Sequence, residues 1–342
     1  MRAIAGLGAA LAILSGAAPA PSHPRPPYHL LRRVVLGGEG WWDYVTMDPV
    51  RRRLFIAHAT QVLVVDADRG TVIGRIPDTP GVHGTALAQA LGRGFISDGA
   101  DSTVTIFNLR TLRVLSRVRV TGRNPDAIVY EPVTRRVFTM NGGSDNATAI
   151  DAATGAVVGT IALGGRPEFA VADGRGRVYV NLEDRSELTS FDARTLAAAA
   201  PWSLAPCEEP SGLAIDTARR RLFSGCANQL MAVTDADQGR VLDTVPIGAH
   251  VDANAFDAAT GLAFSSNGDG TLTVVDARGP HPRVAQTVTT ARGARTMALD
   301  PRTHRVYLVT AAFGPPPAPT PEHPHPRPSV VPGTFELLVV GR

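Results

Sequence analysis

The feature that most restricts the fold is a repeat. An aromatic residue preceded by a short polar turn recurs at Phe55, Phe95, Phe138, Tyr179, Phe223, Phe264 and Tyr307, at spacings of 40 to 44 residues. Six or seven residues before each aromatic stands an anchor: Asp48, Ala88, Glu131, Asp173, Asp216, Asp257 and Asp300. Between 11 and 13 residues after it, in six of the repeats, an alternating apolar run ends in Asp66, Asn108, Asp151, Asp192, Asp235 or Asp276. A short acid or amide at that point caps its own turn through a side-chain hydrogen bond. The Asp66/Asp68 and Asp235/Asp237 pairs look like calcium loops but lack the bidentate Glu such a loop needs, so they read as turns.

Each repeat therefore holds four short strands. Strand A precedes the anchor, strand B carries the aromatic and strand C ends at the Asx turn. Strand D is an outer run such as 72–76 or 157–161. Four strands in roughly 42 residues, seven times over, is the arithmetic of an all-β, seven-bladed β-propeller with four-stranded antiparallel blades. The 34 glycines and 27 prolines suit so many turns, and 44% hydrophobic residues suit sheets buried on both faces. The last repeat lacks a strand D. The unpartnered run at 29–37 supplies it, so the N-terminal strand is expected to close the last blade beside the final strand at 334–340.

The domain organisation follows: residues 1–20 a signal peptide, 21–28 a Pro-rich linker, and 29–342 a single propeller. Arg2, the apolar stretch 3–18 and the Ala18–Ala20 end have the form of a secretory signal, too short for a membrane span. A periplasmic or secreted protein with no transmembrane segment after processing is the expectation. Cys207 and Cys226 form an even pair, and export permits a disulfide between them. A Pro-rich loop at 313–333, with His323 and His325, interrupts blade 7 and is expected to be extended.

The strand-B motifs Phe138-Thr-Met-Asn141, Tyr179-Val-Asn181 and Tyr307-Leu-Val-Thr310, with the Asp-anchored turns, resemble the YVTN/YncE-like family of seven-bladed propellers. The resemblance spans residue 29 to the end. It implies the fold and a range of roles, from surface and periplasmic binding proteins to lactonase-like proteins.

Function is expected where the repeat is irregular, on the face carrying the D–A and B–C connections. Five residues before each anchor, counting back to the start of strand A, stand Asp43, His83, Asp126, Glu168, Ser211, Asp252 and Arg295. A regular ring places them around the channel mouth. The ends of strand B add His58, Asp98, Asn141, Asn181, Cys226 and Asn267, while Trp41, Trp42, Tyr44 and Phe169 supply aromatic walls. The candidate ligand-binding set is Trp42, Asp43, His58, His83, Asp126, Glu168, Asp252 and Arg295. Asp43, His58 and His83 mix imidazole with carboxylate and could hold a divalent metal ion. Crowded carboxylates also raise one another's pKa, as an acid or base catalyst requires. A mouth filled with ordered water is the plainer alternative.

Composition and motif searches narrow the chemistry. All 34 basic residues are Arg, so Schiff-base, pyridoxal-lysine and P-loop-lysine chemistries are excluded. The net charge of +3 comes with no polybasic run, which gives no nucleic-acid signal. No G-x-S-x-G, H-E-x-x-H or C-x-x-C is present. The sequence thus points to an exported monomer binding a small molecule, a metal ion or an envelope protein partner at the mouth. Its competitor is a lactonase-like or metal-assisted hydrolase using the same ring.

Overall fold

A computed structural model describes residues 26–320, 326 and 328–342. Among these, 28 strands build seven four-stranded antiparallel sheets, and two short 3₁₀ turns are the helical content. The innermost strands are Trp42–Asp48, Val82–Ala88, Pro125–Glu131, Pro167–Ala172, Pro210–Asp216, Val251–Asp257 and Met297–Asp300. Each touches the innermost strands of the blades before and after it, and blade 7 touches blade 1, so the ring closes. In blade 7 the strand His29–Val35 pairs antiparallel with Glu336–Gly341 in the outermost place, as the repeat count requires.

Burial explains the sequence pattern of each strand. The strands Arg53–His58 and Leu262–Asn267 are buried at every position, because a middle strand is covered on both faces by neighbouring blades. The outermost strand Val114–Arg119 is almost wholly exposed, with arginines on the free edge that discourage further pairing. The repeated aromatics Phe55, Phe95, Phe138, Tyr179, Phe223, Phe264 and Tyr307 are all 0% exposed. Each belongs to the apolar cluster shared with the following blade, so the core is seven wedges between sheets. Truncating one such ring would cost about 3–5 kcal/mol.

The A–B anchors work as the turn chemistry demands. Glu131 accepts the backbone N–H of Val133 and Thr134 at 3.0 and 2.7 Å, and Asp216 does the same for Ala218 and Arg219 at 3.1 and 3.0 Å. Blade 2 has Ala88 at this place and folds a 3₁₀ turn, Gln89–Leu91, instead. This face carries Arg-rich turns, at 51–53 and 219–221. Its arginines tie blades together: Arg52 bridges Asp68 and the buried Asp300 of blade 7, and Arg220 bridges Asp237 and Asp173 of blade 4.

Cys207 and Cys226 form a disulfide with a Cα–Cα distance of 5.4 Å. No described helix is long and apolar enough to cross a membrane. The disulfide is compatible with a location outside the cytoplasm. The leader expected at 1–20, and His323 and His325, lie outside the described residues.

Candidate functional site at the channel mouth

In blades 1 to 6 the candidate ring residue is the second residue of the innermost strand, and the strand slips register just beyond it. Trp42 pairs with His58 but Val45 with Ile56, for example. Such a bulge re-aims a side chain, here away from the inter-blade core. The preceding blade braces several of these bulges. Ser97 donates to the Asp126 carbonyl at 2.5 Å, Asn181 to that of Ser211 at 2.8 Å, and Ser266 to that of Arg295. Ser97, Asn181 and Ser266 are therefore supports for the ring.

The ring side chains meet around the axis. His83 Nδ1 lies 2.6 Å from Asp43 Oδ2 and 3.6 Å from Asp126 Oδ1, joining blades 1, 2 and 3. One ligand atom from each of Asp43, His83 and Asp126 falls within 4.8 Å of the others. Across the mouth, Asp252 accepts from Ser211 Oγ at 3.2 Å and pairs with Arg295 Nε at 3.1 Å. Glu168 has no hydrogen-bond or ion-pair partner among the described residues.

Beneath the ring the channel has an apolar floor. Tyr44 of blade 1 and Phe169 of blade 4 meet edge to face, with ring centroids 5.1 Å apart. Blades 1 and 4 face each other across a seven-membered ring, so the contact spans the axis. The mouth is a blind funnel with carboxylates set on aromatic rings. Sequence named both residues as walls; only their blade numbers, three apart, hinted that they would touch.

That floor sets the electrostatics. Burial pushes the Glu168 carboxyl well up, and the charges of Asp126 and Asp252 push further. Asp126 is also raised by burial, against the pull of His83 and with Asp43 and Asp252 adding to it. Burial lifts Asp252 to about 6 although Arg295 opposes the shift. For His83, burial disfavours the cation, but the Asp43 hydrogen bond and the two carboxylates outweigh it and raise the imidazole to about 9. The Tyr44 phenol is held far above its ordinary value by burial and by Asp126, Glu168, Asp43 and Asp252. Burial thus keeps protons on carboxyls of this funnel that would be ionised in water.

Two recesses open beside the ring, meeting at His250 and Arg295. The first, about 400 Å³, is lined by Glu168, Glu183, Glu209, Ser211, Asp252 and Arg166. The disulfide-pinned loop supplies Glu209. The second, about 290 Å³, is lined by Trp41, Trp42, Phe313, Arg292 and Pro328. Phe313 and Pro328 come from the Pro-rich loop, whose base is clasped by Gly314 N–H donating to the Ser329 carbonyl at 2.8 Å.

His58 stands apart from Asp43 and His83. It is 1% exposed, stacks on Phe335 at 4.2 Å, and neither ring nitrogen has a hydrogen-bond partner among the described residues. Burial lowers its pKa, with Arg75 adding to the effect. The ends of strand B point between the sheets, so His58 packs as an aromatic ring, and Asp126 takes the third place beside Asp43 and His83. Asp98, Asn141, Asn181, Cys226 and Asn267 are likewise buried.

No family model matches the chain, and no curated protein matches it. Solved structures do. U3-55K shares 10% identity over 91% of this chain and 98% of its own, with a TM-score of 0.72. A chain of the mitotic checkpoint complex shares 13% over 88% and 96%, with a TM-score of 0.71. A chain of Kuenenia stuttgartiensis hydrazine synthase shares 12% over 81% and 94%, also at 0.71. Identities this low establish the seven-bladed ring and leave the site to be argued from its own residues.

Proposed function

We propose that the chain is an exported, monomeric binding propeller of the YncE-like kind that takes a cation in the blind funnel at its mouth. One observation carries the reading: four ring carboxyls, Asp43, Asp126, Glu168 and Asp252, stand over the Tyr44–Phe169 floor, and among the described residues their ion pairs are with His83 and Arg295 only. Burial makes these carboxyls costly to ionise, and a cation from outside can take the place of the protons they hold. A divalent metal ion suits Asp43, His83 and Asp126, whose ligand atoms already converge. Glu168 and Asp252 would neutralise its remaining charge or hold its water, and Trp42 and Arg295 border the entrance. His58 contributes through packing beneath that border. Export rests on the Ala-rich leader sequence and agrees with the disulfide.

Chelator-treated protein should bind one equivalent of Zn²⁺ or Mn²⁺ by calorimetry. At a hundredfold excess over Kd the ion should add about 2.7 kcal/mol of stability. Asp126→Ala and His83→Ala should each abolish this gain while leaving the fold intact by circular dichroism. No metal binding by the native protein, or equal binding by both variants, would sink the metal reading.

A second reading draws on the upward shift of Asp126, which gives that carboxyl the property of a general acid or base near neutral pH. Lactone hydrolysis that disappears in Asp126→Asn would favour this lactonase-like hydrolase over a binding protein.

A further inference from the structure

The second recess has a chemistry opposite to that of the funnel. Among the described residues its lining holds three aromatic rings, two guanidinium groups and His250, and no carboxylate. Trp41, Trp42 and Phe313 form a triangle with centroid separations of 5.9 to 6.0 Å. Trp41 is 41% exposed, an unusual position for a ring that could bury itself. Arg292 lies over Phe313 with its guanidinium carbon 6.0 Å from the ring centre, and has no carboxylate partner among the described residues. Arg295 gives one side to Asp252 and is 39% exposed.

The chain invests backbone in this arrangement. Gly38 and Gly40, both near φ +99°, bring the loop before Trp41 close to blade 1; a Cβ on Gly38 would sit 2.8 Å from His58. Gly293, at φ +78°, leaves room for Phe313, which a Cβ would approach to 2.6 Å. Below the triangle, Trp42 packs tilted on Phe335 at 5.4 Å and Phe335 stacks on His58, so the floor is aromatic. Phe313 and Pro328 belong to the insertion that sets blade 7 apart from the other six. The repeat alone would not make this recess.

We propose that the recess is a binding site for a small organic anion: a carboxylate carried on a ring with an apolar face, lying against Trp41 and Phe313 with its charge toward Arg292 and Arg295. A guanidinium offers a forked pair of donors that matches a carboxylate. Flat rings gain about 0.5–1.5 kcal/mol from aromatic contact beyond simple burial. The volume of about 290 Å³ admits one or two rings. The same chemistry fits an aromatic acid or the apolar face of a uronic acid. The recess shares Trp42 and Arg295 with the border of the cation funnel, but none of the three metal-ligand candidates lines it.

The test titrates full-length protein with benzoate, indole-3-acetate and glucuronate, following tryptophan fluorescence and calorimetry. Benzylamine and benzyl alcohol serve as cationic and neutral controls. Trp41 and Trp42 should report binding, while Trp202, in the outer strand of blade 4, should not. At least one of the three acids should bind saturably, with Kd on the order of 10 μM to 1 mM, and the controls at least tenfold more weakly. The acid that binds identifies the ring type. Arg292→Ala should weaken binding about tenfold or more and Trp41→Ala comparably, while Arg283→Ala on an outer strand changes nothing. Absence of saturable binding by all three acids, or equal binding of the controls, overturns the proposal. Zn²⁺ titration of the Arg292→Ala protein separates the outcomes: unchanged metal binding with lost anion binding separates the two sites, and retained anion binding in Arg292→Ala refutes this one.

Discussion

The two faces of the ring use the same residue types in opposite ways. On the turn face, carboxylates are satisfied. Asp300 is pulled below its ordinary range because hydrogen bonds from Thr303, Arg52 and the Arg302 backbone outweigh its burial. Asp68 and Asp237 are lowered chiefly by Arg52 and Arg220, and Asp276 falls to about 2 under Arg278. At the mouth, Asp126, Glu168 and Asp252 all move upward with burial as the leading cause. A carboxylate lowered by arginine is holding the fold together. One raised over an apolar floor is held by the fold at a cost, and the contrast identifies the mouth as the place where a ligand has something to gain.

Removing charge should therefore have opposite signs on the two faces. The largest effect is expected at the ring's closing joint, where Arg52 of blade 1 meets Asp300 of blade 7, a side chain 0% exposed. Arg52→Ala leaves Asp300 buried without its cation and should cost about 3 kcal/mol in urea unfolding. Because Arg52 has φ +56°, Arg52→Gly serves as the backbone control and should lose nearly as much. A loss below about 0.5 kcal/mol for both would mean that the turn-face bridges are surface ornaments of small value.

Glu168→Gln should do the reverse. The folded protein holds the Glu168 proton to higher pH than the unfolded chain does, so folding is favoured in acid and loses that advantage as pH rises. Glutamine removes the titration. The variant should match the native protein near pH 4 and exceed its stability by about 2 kcal/mol in alkaline solution. A variant less stable than the native protein at high pH would show that Glu168 is paired after all, and would erase the distinction between the faces.

How much of this was legible in sequence depends on whether the determinant is periodic. The aromatic at Phe55 and its six equivalents, the Asp anchors and the closing strand recur at fixed spacing, and every one of them lies where the count puts it. Counting also reached the ring from Asp43 to Arg295, because blades 1 to 6 start their inner strands alike and Arg295 lies just before the inner strand of blade 7. It failed where a position's meaning depends on side-chain direction. His58 ends strand B close in sequence to Trp42 and Asp43, yet it faces Phe335 between the sheets. The Tyr44–Phe169 floor depends on contact across the axis, and the aromatic recess on an insertion without a counterpart in other blades. Neither follows from a period.

Asp98 separates burial from function, and its effect should be the smallest. It lies on the mouth side at the end of strand B, 0% exposed and outside the funnel, where blades 3 and 6 have Asn141 and Asn267. Those amides donate to Thr148 and Thr273; Asp98 instead accepts from Thr105 at 2.6 Å, and its other oxygen has no partner among the described residues. Burial raises its pKa to about 7 despite the Thr105 hydrogen bond. The native state thus binds a proton that the unfolded chain releases near pH 4, and the stability contribution falls as pH rises from there to about 7. Asp98→Asn should flatten that decline and add about 1 kcal/mol at pH 8, part of the gain being offset because threonine donates more weakly to an amide than to a carboxylate. Metal and anion titrations of the variant should match those of the native protein. If Asp98→Asn instead weakens cation binding as Asp126→Ala does, a raised carboxyl anywhere on this side serves the ligand, and the boundary of the site must be moved inward to the sheets.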